Sequence, residues 1–472
     1  MNWMRFAPEL FAFGATVVLL ILAVLPKISA RGLFGAALGM AALGLLVSLA
    51  AVRAEGLLFA GTYRVDLYSQ VFKVMLFMGL FLVICLCGNL AGVANRRHAE
   101  FYLLMMTATL AMMLLVSSVH LLTVYVALEL SSYSLYVLVS LRRERAVAVE
   151  AGIKYFLVGV SASAVMLLGI ALLYGSIQAM YLETITAVLP EVIDNPIVLV
   201  GLMLTLGGFF FKLAVFPFHF WAPDVYQGAA NEAAAFIATA SKVGAVAILV
   251  RIVSLSGGGS AYLVDALVVV AVLSMTVGNL VAIVQKDFKR MLAYSSIAHA
   301  GYVLVGILSM NSTGYAAAMF YALSILLMKF TVFLVLATVA ADGRNLQISE
   351  LAGLHRNSPL LAMALMLSLF GLAGIPPTIG FTAKLLVFTA AMKQGLFLLV
   401  LIAMINVVIS LYYYIMAVKA AYLLEPASPT PSLTVPAPLK LLTFALVLVM
   451  VAAGMYPTGL FDLALAATER LF

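Results

Sequence analysis

Phe211-Lys212-Leu213-Ala214-Val215-Phe216-Pro217 sets a lysine and a proline inside a run that is otherwise apolar. Proline lacks a backbone N–H and its ring crowds the carbonyl four residues earlier, so a helix through this stretch breaks and frees the carbonyl of Leu213. A second stretch, Phe370-Gly371-Leu372-Ala373-Gly374-Ile375-Pro376-Pro377, shares the pattern Phe-x-Leu-Ala-x-x-Pro and frees the carbonyls of Leu372 and Ala373 in the same way. Free backbone groups at membrane depth survive only against protein or a hydrated cavity. Paired interrupted helices point to a transporter site near the mid-plane, built by inverted repeats. Ordinary proline kinks are the competing reading, and the shared sequence context favours the repeat.

Around these stretches the chain divides into about fourteen apolar segments. They lie near residues 8–25, 33–52, 67–91, 100–117, 119–140, 148–174, 196–216, 230–252, 262–284, 291–309, 314–340, 359–391, 396–423 and 439–464. Hydrophobic residues make up 65% and charged residues 10%, with a mean hydropathy of +1.18. A soluble domain keeps about a quarter of its residues charged. The fold class is therefore an all-α polytopic membrane protein of about fourteen transmembrane helices, two of them broken. No extramembrane strand is expected. The breaks fall in the seventh and twelfth segments, and a five-span repeat inverts its own orientation. The expected organisation is one membrane domain over 1–472, with a first five-helix repeat over about 100–252 and an inverted second over about 262–423. The polar stretch between Ser176 and Asp194 reads as a loop or surface helix, Gly257-Gly258-Gly259 as a loop, and Glu425-Pro426-Ala427-Ser428-Pro429-Thr430-Pro431 as a linker. The first segment follows Pro8 and Glu9 without a basic lead and reads as a span, not a cleavable signal.

The net charge of +7 is a topological signal and not a nucleic-acid one. Connections after odd-numbered segments carry Lys27, Arg31, Arg96, Arg97, Arg142, Arg143, Arg145, Lys286, Lys289, Arg290, Arg344 and Arg356. Those after even-numbered segments carry only Arg53, Arg64, Arg251 and Lys393. The bias of Lys and Arg towards the cytoplasm places the first set inside and both termini outside.

An ionisable group near the centre of a span costs roughly 2.5–3.5 kcal/mol on insertion scales, so it seldom persists without a partner or a task. Six such groups stand out: Glu129 in the fifth segment, Lys212 in the seventh, Lys242 in the eighth, His299 in the tenth, Lys329 in the eleventh and Lys384 in the twelfth. Glu129 and Lys212 can offset each other's desolvation as an ion pair across two helices, and drawing them apart can expel a proton. A static structural pair is the alternative. Several titratable groups at mid-membrane, interleaved with Ser131, Ser134, Ser241 and Ser296, instead suggest a proton wire. Lys154 follows Glu150 near a span end and can snorkel. Cys85 and Cys87 read as small packing residues. The five histidines are scattered, with no two at ligand spacing on one helix. A haem held by His120, His219 or His299 would need facing spans. No nucleotide fingerprint or redox centre is visible, so uphill pumping must draw its energy from a partner or another ion gradient.

Three stretches carry a family resemblance. They are Phe211-Lys212-Leu213-Ala214-Val215-Phe216-Pro217-Phe218-His219-Phe220-Trp221-Ala222-Pro223-Asp224-Val225-Tyr226-Gln227-Gly228-Ala229, then Lys289-Arg290-Met291-Leu292-Ala293-Tyr294-Ser295-Ser296-Ile297-Ala298-His299-Ala300-Gly301-Tyr302, then Tyr412-Tyr413-Tyr414. With the span count, they resemble the subunit N family of the proton-translocating NADH:quinone oxidoreductases (respiratory complex I), antiporter-like proteins related to Mrp-type sodium/proton antiporter subunits. The resemblance implies fourteen helices, two inverted five-helix repeats and a relay of buried charges. It places the family's relay positions on Glu129, Lys212, Lys242 and Lys384, with His299 in the tenth-helix motif. It also implies membrane-arm partners, both antiporter-like and small, with NADH, flavin, Fe–S clusters and quinone held by partner subunits. Two departures stand out. Ala230-Asn231-Glu232 follows Ala229 where the family usually has proline, and Ile415-Met416 follows the tyrosines with Lys419 beyond.

Three functions compete: a proton-pumping subunit of a redox complex, without a redox centre of its own; an Mrp-type cation/proton antiporter subunit; and a non-pumping membrane scaffold with structural ion pairs. The run Asp224-Val225-Tyr226-Gln227-Gly228 favours the first. The charge asymmetry predicts that a periplasm-dependent reporter fused after residue 472 is active. A fusion active only in the cytoplasm would overturn the orientation.

Overall fold

The computed structural model describes residues 3–24, 28–142, 146–256, 260–426, 433, 435–469 and 471. The Gly257–Gly259 loop, the linker from Ala427 through Pro431, and Lys27, Arg143 and Arg145 of the charge count lie outside them. The helices are α1 (Ala7–Val24), α2 (Ala30–Ala50), α3 (Leu67–Leu86), α4 (His98–Ser117), α5 (Leu121–Ser140), α6 (Ala146–Ile177) and α7 (Leu182–Val192). There follow α8 (Pro196–Leu213), α9 (Trp221–Gly228), α10 (Asn231–Ala238), α11 (Ala240–Val253), α12 (Ala261–Ile283), α13 (Phe288–Ile307) and α14 (Ser312–Val339). The chain ends with α15 (Leu354–Asn357), α16 (Pro359–Ala373), α17 (Ile379–Lys393), α18 (Phe397–Leu423), α19 (Ala437–Met455) and α20 (Thr458–Thr468). Short polar side chains start many of them. Ser29, Asp66, Asn195, Ser260, Asp287 and Asn311 each accept a backbone N–H of the first turn, which satisfies a donor that the helix cannot.

Among the described residues, twelve helical stretches are long and apolar enough to cross a membrane. The expected fourteen include two more. One is α13, which carries Lys289, Arg290 and His299. The other is the pair α16 and α17, of 15 residues each. The stretch formed by α10 and α11 is buried along its whole length and is the central column of the bundle. α13 and α14 are buried beside it. Helices α1, α2, α18 and α19 turn apolar side chains outward, as lipid-facing helices do.

Three features differ from the sequence expectation. The second connection forms a small antiparallel hairpin, β1 (Gly56–Leu58) against β2 (Tyr63–Val65), where no strand was expected. The last segment is divided at Tyr456-Pro457, because proline cannot continue the ladder of α19. The eighth segment is divided at Thr239, between α10 and α11, with φ −119 and ψ −87 and no glycine or proline to announce it. The polar stretch after Ser176 holds α7, a surface helix that buries Leu182, Ile185 and Leu189 on one face.

Connections after odd and even spans gather on opposite faces. On one face the hairpin bridges Ser118, and His120 bridges Tyr181. On the other, Arg142 donates to the carbonyls of Gly343 and, at 3.0 Å, Ala229, and to Asn345 Oδ1 at 2.9 Å, so that one buried guanidinium ties three connections. Asp224 accepts from Lys154 at 2.8 Å and Arg290 at 2.6 Å, which fixes α9 to α6 and α13.

Two buried ion pairs lie outside the six groups singled out from sequence. Lys73 of α3 meets Glu9 of α1 at 2.7 Å, and Glu9 also accepts from Tyr63 at 2.6 Å. Asp66 accepts from Arg251 of α11 at 3.0 Å. Removing one partner of a buried pair strands the other, at about 3–5 kcal/mol. Glu9→Ala is expected to destabilise the detergent-solubilised protein by that amount in unfolding titrations. Glu9→Leu with Lys73→Met should recover most of the loss. A single variant as stable as the parent would show that the pair does not anchor α1.

Candidate functional site

The two helix breaks share one geometry. α8 ends with Ala214 in the left-handed region, φ 60, and α16 with Gly374, φ 89. In each, the following residue's N–H reaches back five positions, Val215 to Phe210 and Ile375 to Phe370, both at 2.9 Å. This is a Schellman-type stop. It aligns Ala214 with Gly374 and Pro217 with Pro377, one residue off the register that the shared Leu-Ala suggests. The turn, and not the side chains before it, sets the correspondence.

The carbonyls freed at these stops are taken by lysines. Lys242 Nζ donates to Leu213 O at 2.8 Å and Lys212 O at 3.3 Å. Lys384 Nζ donates to Ala373 O and Leu372 O, both at 2.9 Å. Each ammonium also lies over an aromatic face, Lys242 at 4.9 Å from the Trp221 ring centre and Lys384 at 4.8 Å from that of Tyr302. Cation–π attraction strengthens when water is excluded. The carbonyls that proline chemistry leaves without a helical donor thus meet the charges that composition leaves without a counter-ion.

Glu129 and Lys212 do not form the expected ion pair. Lys212 Nζ donates to Ser131 Oγ at 2.8 Å and Ser132 Oγ at 3.2 Å. The Glu129 carboxylate accepts instead from Ser163 of α6. Ser131 follows Glu129 by two residues on α5, so acid and amine approach one helix through different hydroxyls.

The remaining candidates converge on α13. Lys329 Nζ donates to Leu292 O at 2.7 Å and Ser295 Oγ at 2.8 Å. Ser295 Oγ meets Tyr414 OH at 2.5 Å, Tyr414 OH meets His299 Nε2 at 3.1 Å, and His299 Nδ1 meets Tyr321 OH at 2.8 Å. Lys329, Ser295, Tyr414, His299 and Tyr321 form one hydrogen-bonded chain. Lys242, Ser296 and His299 line a cavity about the size of one water molecule. It joins the first half's lysine to the second half's histidine. Ser296 also accepts from Tyr226 of α9 at 3.2 Å.

Of the other residues weighed from sequence, Ser134 bonds only its own helix, through Leu130 O. Lys154 is half-exposed in the Asp224 network. His120 stands at the hairpin face, and His219 stacks beside Phe216 and Phe220 in the connector after the first break. Cys85 and Cys87 are free thiols in and just after α3, and Lys419 is exposed. Tyr414, Tyr321 and Ser295 were not singled out as relay groups. Tyr414 lies in the quoted tyrosine run and Ser295 beside Ser296, yet only the tertiary fold brings them to His299.

Comparison with known proteins shows the family and the fold. The family described as NADH:quinone oxidoreductase/Mrp antiporter, TM, matches residues 118–410. NADH-quinone oxidoreductase subunit N 2 of Syntrophobacter fumaroxidans is 60% identical over 471 residues, covering 100% of both chains. A chain of respiratory complex I from Thermus thermophilus is 33% identical with a TM-score of 0.84, over 97% of this chain and 99% of that one. A chain of the Mrp complex from Dietzia, at 22% identity and a TM-score of 0.84 over 100% and 98%, shares the fold.

The left-handed stops differ in one testable respect. A left-handed residue other than glycine costs roughly 1–2 kcal/mol. Ala214→Gly is therefore expected to raise stability by up to about 1 kcal/mol. Gly374→Ala should lower it by about 1–2 kcal/mol, and its new Cβ would stand 2.9 Å from Lys384 Cδ. Denaturant titration of the purified protein reads both signs, and a destabilised Ala214→Gly would refute the account of the turn.

Proposed function

Because the chain belongs to the NADH:quinone oxidoreductase/Mrp antiporter transmembrane family, and within it to the subunit N proteins, we propose that it is a membrane-arm subunit of a proton-translocating NADH:quinone oxidoreductase. It moves protons through the buried line of Glu129, Lys212, Lys242, His299, Lys329 and Lys384. The observation that carries this reading is the setting of the four lysines. Each is buried, and none has a carboxylate within ion-pair distance among the described residues. Their partners are serine hydroxyls and backbone carbonyls.

Such a setting suits proton transfer. A hydroxyl or carbonyl accepts from an amine as well as from an ammonium, so gaining or losing a proton leaves no buried anion stranded. Ser295 and Tyr414 both donate and accept, and the two ring nitrogens of His299 face two different tyrosines. Rotating hydroxyls can pass a proton along this line. One water in the cavity completes it towards Lys242. Glu129 modulates the entrance: when its carboxylate draws near Lys212 it stabilises the ammonium, and when it stays with Ser163 it does not.

Moving one charge against 100 mV costs about 2.3 kcal/mol. That energy comes from electron transfer in partner subunits that hold NADH, flavin, Fe–S clusters and quinone. Other antiporter-like and small membrane subunits contact the chain within the bilayer of the bacterial plasma membrane, with both termini outward. The two halves, about 100–252 and 262–423, act as inverted repeats whose breaks present the lysine-capped carbonyls.

Lys212→Ala is expected to lower the protons moved per electron in energised membrane vesicles while the complex assembles normally. Lys212→Arg should impair it too, because a guanidinium does not deprotonate in proteins. A normal proton-to-electron ratio in both variants would leave the lysine a structural role and favour a scaffold.

A further inference from the structure

Glu232 stands where the sequence departs from its family pattern, and the relay described above does not use it. It lies in the first turn of α10 and is only 6% exposed. Other buried acids are directly engaged: Glu9 by Lys73, Asp66 by Arg251, and Asp287 as the cap of α13. Among the described residues the Glu232 carboxylate has no ion pair within 4.0 Å and no hydrogen bond to another side chain; its hydrogen-bond donor is its own backbone N–H.

Its surroundings are nonetheless electropositive. Lys289 and Arg142 both act on it through space. Both donate to the Ala229 carbonyl, at 2.8 and 3.0 Å, three residues before it. Anchored there, the two cations attract the carboxylate without seizing it. An acid so placed can accept a proton or release one and remain in position. Its helix also packs beside the relay. Lys289 opens α13, and Leu292, which accepts Lys329, follows three residues later, a rise of about 4.5 Å. α10 packs against α14, the helix that carries Lys329.

We propose that Glu232 is the proton-loading group through which the relay exchanges protons with the face that bears Arg142 and Lys289. A proton from water on that face binds the carboxylate, crosses by intervening water to the neutral amine of Lys329, and leaves the carboxylate as it began. From Lys329 it enters the line of Ser295, Tyr414 and His299. This inference rests on the proton-relay reading of the site.

The test is the proton-to-electron ratio of the intact complex in membrane vesicles. Glu232→Gln should lower the ratio to that of Lys212→Ala, with electron transfer and assembly retained, and Glu232→Asp should restore part of it. If Lys212→Ala lowers the ratio and Glu232→Gln does not, the loading role is wrong and the relay stands. If neither lowers it, the relay itself is wrong. Should Glu232→Gln fail to assemble, an apolar carbodiimide, which reacts with protonated carboxyls, decides the matter in the unaltered complex. Labelling of Glu232 together with loss of pumping supports the role, and an unlabelled Glu232 overturns it.

Discussion

A backbone carbonyl inside a bilayer has no water to satisfy it, and a buried ammonium has none to solvate it. This chain brings the two deficits together twice. Lys242 takes the carbonyls left at the end of α8, and Lys384 those at the end of α16. A hydrogen bond to a charged group contributes about 1.5–3 kcal/mol, more than a neutral one. Two such bonds and an aromatic face go far towards offsetting the cost of each buried charge. Without the lysines the breaks would expose unsatisfied backbone, and without the breaks the lysines would lack acceptors.

The rest of the bundle holds these stops in place. α9 hangs from α8 by a short connector, so its position depends on other anchors. Asp224 supplies one by joining Lys154 of α6 and Arg290 of α13. Arg142 supplies another by tying Ala229 to Gly343 and Asn345. Trp221 then lies where its N–H reaches Phe211 O at 3.0 Å and its ring faces Lys242. A polar network at one end of the bundle therefore fixes the aromatic face that the buried lysine needs.

Much of this was legible in sequence where the rule is local. Proline's effect on the carbonyl four residues back picked out Leu213 and Ala373, and those atoms are the ones capped. Span number followed from hydropathy, apart from the proline split after α19. What needed the fold was anything set by side-chain direction. Glu129 and Lys212 are separated because each finds a nearer hydroxyl, and no spacing rule tells which hydroxyl faces which helix. Thr239 breaks a helix without glycine or proline. Lys73 and Glu9 sit near span ends, where a charge ordinarily reaches water, yet here they close on each other. Tyr414 and Tyr321 are large residues in apolar helices, and only their approach to His299 separates them from packing.

The two breaks reach the same local solution by different routes, and this bears on how they can move. Lys384 caps carbonyls in the first half of its own broken span, from α17 back to α16. Lys242 caps those of a neighbouring span, from α11 to α8. The second stop is therefore closed within one interrupted helix, and its lysine moves with the break. The first stop depends on the packing of α11 against α8, with the Thr239 discontinuity three residues before the lysine. A shift of α10 and α11 would withdraw Lys242 from the carbonyls of Lys212 and Leu213, and would disturb the residue that bonds Ser131 and Ser132. Of the two stops, the first is thus the one through which a displacement of helices can change the state of two lysines at once.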